Sequence, residues 1–243
     1  RRNQVLLRMY KMKSIDKDTY EKTKKEPIVL STMPIMYATN KAPYFCDYVM
    51  KDLHKLGFSE DEIVNGGLKV ITTLSYNAQI AANEAIIKEL NAWGLKQDKN
   101  QAAVFSFSPI DGRILVYAGG KDYTKSQYDR VSQSARPSGS AFKPFIYTAA
   151  VEKGYSPNDM IDDLPFKAGS WTPKNYGNKY RGPIPMYTAL MISSNVCAAR
   201  LMDSIGVKPV IQLARVMGIT TPIPYDYTIA LGSHSVKLFE MTR

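Results

Sequence analysis

SARPSGSAFKPFIYTAA, residues 134–150, decides how this chain is read. It contains Ser140-Ala-Phe-Lys143, a serine three residues ahead of a lysine at the start of a helical pattern. Positions i and i+3 share one helix face. The lysine amine therefore falls within reach of a hydroxyl that is a weak nucleophile until its proton is taken. Gly139 permits a tight turn before the serine. Phe142, Phe145, Ile146 and Ala149 recur at helical spacing and predict a core-facing stripe. Pro144 belongs in a first turn, where no backbone donor is lost, and Gly154 is placed as the C-cap. Ser140 thus stands at the N-terminal end of a buried helix, where unpaired amides favour a developing negative charge.

The pattern also occurs at Ser14-Ile-Asp-Lys17, in the charged stretch KMKSIDKDTYEKTKKE (residues 11–26). There Ser14 reads as the N-cap of a solvated helix. Downstream, PMYTALMISSNVCAARLMDSIG (residues 185–206) predicts a helix, a break near Ser193-Ser194-Asn195 and a second helix ending at Gly206. The break presents a hydroxyl and an amide from one turn, suited to relaying a proton and holding both a lysine and a substrate carbonyl. Taken alone, it reads first as a capping turn between two helices.

Together these pieces resemble the class A penicillin-binding proteins, the bifunctional peptidoglycan synthases, whose superfamily carries Ser-x-x-Lys, a Ser-x-Asn type motif and Lys-Thr-Gly. Residues 66–86 are similar to the family's entry into its transpeptidase domain, and residues 102–145 to its first hairpin and nucleophile helix. Residues 171–201 resemble the approach to the second motif, residues 229–242 a later segment, and residues 1–27 the tail of the glycosyltransferase domain. The resemblance implies an α+β fold, penicillin-binding/serine β-lactamase-like, with an antiparallel sheet and a helical subdomain, incomplete at the C-terminus. It implies a glycosyltransferase tail at 1–30, a linker at 31–66 and the N-terminal portion of the transpeptidase domain at 67–243. The implied reaction is cross-linking by serine acyl transfer from D-Ala-D-Ala stem peptides. Ser140 is the nucleophile, Lys143 its base, Ser193 the proton relay and Asn195 the positioning amide. β-Lactams would acylate the same serine. No cofactor or metal is implied. Stem peptides and a lipid-linked precursor are the implied partners, at the outer face of the bacterial cytoplasmic membrane, with the anchor outside this chain.

The departures are specific. No Lys-Thr-Gly or Lys-Ser-Gly follows Asn195, and Lys167-Ala168-Gly169-Ser170 lies between the first two motifs and reads as loop. The third motif would supply the substrate-carboxylate site and a second oxyanion amide, so this stretch alone is expected to be a weak or inactive enzyme. Ser138, Cys197 and Leu238 stand where the family often has proline.

Composition fits without deciding. The 243 residues suffice for one good core, and 44% hydrophobic content is ordinary for a globular chain. A net charge of +10 raises nucleic acid as a partner. The positives are spread along the chain and no nucleic-acid module is present, so none is expected; a solvated basic surface or an anionic wall or membrane fits as well. Cys46 and Cys197 leave pairing open, His54 and His234 are too few and too distant for a metal site, and no stretch is long enough to span a membrane. A serine β-lactamase, a non-catalytic wall- or partner-binding module and, weakest, a nucleic-acid binder are the competing classes.

Along the chain, residues 1–30 are expected to be helical, with Val5, Leu6 and Met9 on one face. An amphipathic segment covers 44–57, a loop ends at Gly66-Gly67, and the β-branched run of 68–74 predicts a strand. Ser75 is placed as the cap of a helix carrying Ile80, Ile86, Ile87 and Leu90 and ended by Gly94. Residues 102–107 and 113–118 predict a hairpin turning at Asp111-Gly112, and Pro209 opens a helix that Gly218 ends.

Overall fold

The computed structural model describes residues 2–28, 40–95, 97 and 99–243, in two compact units, Arg1–Asn40 and Lys41–Arg243. The first part of the expected linker, 31–39, lies outside the described residues.

The first unit holds two helices, α1 (Arg2–Lys11) and α2 (Lys17–Lys25), neither with a buried residue. Val5, Leu6 and Met9 therefore form no core face within it. The Arg2 guanidinium donates to the carbonyls of Glu26 (2.8 Å) and Lys24 (2.9 Å), and Tyr10 stacks on Tyr20 at 5.4 Å. Ser14 is not the N-cap. Asp16, directly before the first helical residue, takes that place and accepts from the Thr19 amide at 2.7 Å. Ser14 lies too far upstream for its side chain to reach the orphan donors of the first turn.

The second unit opens with α3 (Pro43–Lys55), which buries Tyr44 and Phe45 as the amphipathic pattern requires. A short α4 (Glu60–Asn65) stands where a loop was expected. Ser59 and Glu62 form a reciprocal capping box, a sequence signature visible in Ser59-Glu-Asp-Glu62. The predicted strand at 68–74 does not form. The Thr73 hydroxyl and the Ser75 amide donate to Ile114 and Leu115 carbonyls, but no ladder follows and Ile71 is 85% exposed. β-Branched side chains supply a local preference; a strand also needs a partner in register.

Helix α5 (Tyr76–Ala92) buries Ile86 and Leu90, whereas Ile87 faces outward. Ser75 precedes it without a side-chain capping bond. Buried Gln79 acts as a one-residue strand partner: its Oε1 accepts from the Tyr117 amide (2.8 Å) and its Nε2 donates to the Tyr117 carbonyl (3.2 Å). The expected hairpin is present as β1 (Val104–Phe107) antiparallel to β2 (Ile114–Ala118).

The rest is helical packing tied by two short antiparallel pairs. Strand β3 (Ala135–Pro137) runs into the turn that carries Ser140 and then α6 (Lys143–Glu152), and β4 (Met160–Asp163) follows. Strand β5 (Gly182–Pro185) pairs with β4 and leads into α7 (Met186–Met191), α8 (Asn195–Ile205) and α9 (Val207–Val216). Strand β6 (Ser235–Lys237) returns to pair with β3 ahead of α10 (Leu238–Thr242). Ile146, Ala150, Leu201, Met202 and Val210 form the centre of the core these helices share. Such burial is worth roughly 1.5–3 kcal/mol for each large aliphatic side chain. The architecture is α+β with antiparallel pairing, as the sequence implies.

Candidate active site

Ser140 does not lie in the α-helix itself. It sits in a 3-10 turn, Gly139–Phe142, that precedes α6, and the Lys143 amide donates to the Ser140 carbonyl. A turn of three residues eclipses i and i+3, so the turn places Ser140 and Lys143 on one side while separating their environments. Ser140 is exposed; Lys143 is 1% exposed. Pro144 falls in the first turn of α6, as its missing N–H requires.

The turn is clamped from behind. The Gly139 amide donates to the Gly232 carbonyl at 3.0 Å, and a Cβ on Gly232 would lie 2.0 Å from the Gly139 oxygen. Two residues on, His234 packs edge-on against Phe142 with 4.3 Å between ring centroids. Both His234 nitrogens are buried without a partner among the described residues, and burial pushes its pKa down, favouring the neutral ring.

Lys143 Nζ donates to three acceptors of one turn: the Ser193 carbonyl (2.6 Å), Ser193 Oγ (3.0 Å) and Asn195 Oδ1 (2.8 Å). No ion pair reaches it among the described residues, and desolvation lowers its pKa from 10.5 to about 8, with the nearby Cys197 opposing that shift. A charged ammonium fills all three contacts as donor. Once deprotonated it has two donors and a lone pair, so the Ser193 hydroxyl can reverse and donate to it. Lys143, Ser193 and Asn195 are thus brought together. Ser140 Oγ stands one turn away and makes no hydrogen bond to a described residue.

The Ser193–Asn195 turn is both a cap and a ligand for the lysine. Ser193 has φ +57°, the left-handed region, and so departs from the helical path of α7. Ser194, between the two motif residues, is the true N-cap of α8 and accepts from the Cys197 amide at 3.0 Å. Beneath it lies a network that the motifs alone do not announce. Asp163, fully buried on β4, accepts from Ser194 Oγ (2.7 Å) and Asn175 Nδ2 (2.6 Å). Its other oxygen accepts from the Arg181 amide at 3.1 Å. Asn175 Oδ1 accepts from the Asn195 and Val196 amides at 2.9 and 3.1 Å. Asn195 Nδ2 donates to the Lys174 carbonyl at 2.9 Å, which fixes the amide with Oδ1 toward Lys143. No sequence signal marks Asp163, since Asp162 beside it is the same residue type and only the alternating burial of β4 in the structure separates the two. Asn175, in a loop, gives none either.

Lys167–Ser170 is a loop, closed by paired backbone bonds between Ala168 and Trp171 around Gly169. Cys46 and Cys197 form no disulfide, and burial pushes the Cys197 thiol up to about 11. Among the described residues no cluster of His, Cys, Asp and Glu stands ready for a metal, and no helix is long and apolar enough to cross a membrane.

Residues 102–233 match the penicillin binding protein transpeptidase domain. Penicillin-binding protein 2D of Bacillus subtilis (strain 168) is 30% identical over an alignment covering 99% of this chain and 36% of the relative. Penicillin-binding protein 1A of Escherichia coli (strain K12) is 35% identical over 63% of this chain and 19% of the relative. The chain thus spans about a third or less of the length of these curated relatives. Among solved structures, PonA1 from Mycobacterium tuberculosis in complex with penicillin V superposes with a TM-score of 0.71 at 25% identity, covering 82% of this chain and 55% of that one. The match to the domain runs from the first hairpin through the Ser140 turn and the turn that holds Lys143. The chain belongs to the penicillin-binding protein transpeptidase family, among its class A members.

Proposed function

We propose that the protein cross-links peptidoglycan by serine acyl transfer and is acylated by penicillins at Ser140. The observation that carries this is the buried Lys143 amine, held by Ser193 and Asn195 one 3-10 turn behind an exposed serine, with a pKa lowered to about 8. An amine so tuned is a base near neutral pH, where an ordinary lysine is not. In the reaction Ser140 Oγ attacks the carbonyl between the two terminal D-alanines, and its proton passes to Lys143. Backbone amides, that of Ser140 among them, hold the oxyanion. Ser193 returns a proton to the departing D-alanine, and Asn195 positions the lysine and the peptide. The amine of a neighbouring stem peptide attacks the acyl-serine and releases Ser140.

A β-lactam enters the same path because its strained amide presents a carbonyl to the same hydroxyl. PonA1, to which this fold is similar, was solved with penicillin V. The proposal extends to the cell envelope as location, at the outer face of the membrane, and to stem peptides on a lipid-linked precursor as substrates. It also covers the division into a glycosyltransferase tail at 1–30, a linker at 31–66 and a transpeptidase portion at 67–243.

The test is to incubate the full chain as encoded with penicillin V, weigh it intact and map the modified peptide. One added penicillin on the peptide carrying Ser140 is expected, persisting for hours. Absence of an adduct, or rapid turnover of penicillin with free enzyme regained, overturns the reading; the second result selects a β-lactamase.

A further inference from the structure

We infer that Asn175, anchored by the buried Asp163, is a positioning residue that holds the Ser193–Asn195 turn against Lys143. This inference rests on the reaction assigned above. The amide of Asn175 bridges two elements of different origin. Its Nδ2 donates to Asp163 on β4 and to the Lys179 carbonyl of its own loop, at 2.6 and 3.0 Å. Its Oδ1 accepts from the Asn195 and Val196 amides, two of the donors that a helix N-terminus leaves without intrahelical partners. Ser194 Oγ satisfies a third, the Cys197 amide, and itself donates to Asp163. The first turn of α8 is therefore tied to β4 through two side chains, and the residues on either side of Ser194 are the ones that grip the lysine.

Direction follows from this geometry. Ser193 adopts φ +57°, which a serine keeps only where its surroundings enforce it. The Ser194 and Asn195 anchors supply that constraint from the C-terminal side. Without the Asn175 carbonyl, the Asn195 amide has no partner in the fold and the turn relaxes toward an ordinary conformation. Lys143 then loses the fit of three acceptors to one amine, and water enters where burial now weakens the hold of the amine on its proton. The groups facing Lys143 are few. Cys197 on α8 is the titratable neighbour that acts on it. Asp163 on β4 and Tyr147 on α6 interact with Cys197, the Lys174 side chain is exposed on the loop, and His234 is held neutral by burial on the far side of Phe142.

The test measures the second-order acylation rate by a fluorescent penicillin between pH 6 and 10, in the full chain as encoded. Wild type, Asn175→Ala and the exchanged pair Asp163→Asn/Asn175→Asp are compared, each with a thermal melt. A displacement of about 1 Å at a catalytic group slows chemistry about a hundredfold, and that loss is expected in Asn175→Ala. Its alkaline-rising limb is expected to move up from about 8 toward 10.5, because hydration restores the charged amine. The exchanged pair keeps one charge and the acceptor facing the Asn195 and Val196 amides, reverses the bond between 163 and 175, and gives up the donation to the Lys179 carbonyl and the Ser194 donation to residue 163; it is expected to recover the rate to within about tenfold of wild type and to keep the original limb. A folded Asn175→Ala with the wild-type rate, or slowed with its limb unmoved, overturns the inference. If Asn175→Ala does not fold, the exchanged pair decides: a rate within tenfold of wild type, or a limb moved toward 10.5, supports the inference, and a slower protein with the limb unmoved, or one that does not fold either, overturns it. Wild type failing to form any adduct sinks the reaction itself, a separate outcome.

Discussion

Replacing Lys143 with methionine is expected to slow penicillin acylation of Ser140 by about a thousandfold at pH 8, within the range that a positioned general base contributes. Methionine matches the length of the lysine stem and suits a buried site, so the fold is expected to survive. The Ser193 carbonyl and Asn195 Oδ1 lose a donor, while the burden of a desolvated amine disappears. The sign of the pH dependence follows from burial. Desolvation penalises the charged form, so the folded lysine gives up its proton near 8 instead of 10.5. Roughly one amine in ten is then neutral at pH 7, against about three in ten thousand for an ordinary lysine. Wild-type acylation should rise about tenfold per pH unit below 8 and level off above it. Stopped-flow acylation by a fluorescent penicillin checks both points. A flat wild-type profile, or a Lys143→Met rate within tenfold of wild type, would remove Lys143 from the role of base.

Gly232→Ala is expected to cost about 3 kcal/mol of stability, the range reached when a rigid collision is built into a packed core. The new methyl would sit 2.0 Å from the Gly139 oxygen and 2.5 Å from its nitrogen, both backbone atoms that cannot swing aside. Gly232 also has φ +64°, disfavoured for alanine on its own account. Gly112→Ala separates the two causes, since its φ is +72° but a Cβ there meets open space. That control should lose only about 1–2 kcal/mol. The difference in urea midpoint isolates the collision. Because Gly139 immediately precedes Ser140, acylation should slow in Gly232→Ala and remain unchanged in Gly112→Ala. Equal stability losses in the two variants would sink this account.

Local signals were legible in proportion to how local their causes are. The hairpin turning at Asp111-Gly112, the buried stripe of α6 and the broken pair α7–α8 all follow from spacing and turn chemistry within a few residues. The segment 68–74 failed because strand formation depends on a partner that its own sequence does not contain. Ser14 failed because capping depends on a single position, and Asp16 occupies it. At the site, spacing alone did not single out Ser140, Lys143, Ser193 and Asn195, since Ser14 and Lys17 share the first spacing; the buried helix after Ser140 and the family resemblance were needed to point to them. Asp163, Asn175 and the Gly139–Gly232 contact could not be named at all, since each joins segments far apart in the chain. Ser193-Ser194-Asn195 read either as a cap or as a pair of functional groups. The structure puts the cap at Ser194 and sets the Ser193 hydroxyl and the Asn195 amide against Lys143.

The left-handed backbone of Ser193 sets a filter on which side chains a library can return at that position. Two demands meet there. The conformation admits glycine freely and asparagine readily, and it disfavours β-branched residues. The contact with Lys143 Nζ asks for a hydroxyl. Threonine meets the second demand and fails the first; glycine and asparagine meet the first and fail the second. A randomised codon at 193, sorted first for folded protein and then for speed of acylation, should therefore keep glycine, asparagine and serine through the first sort and serine alone through the second.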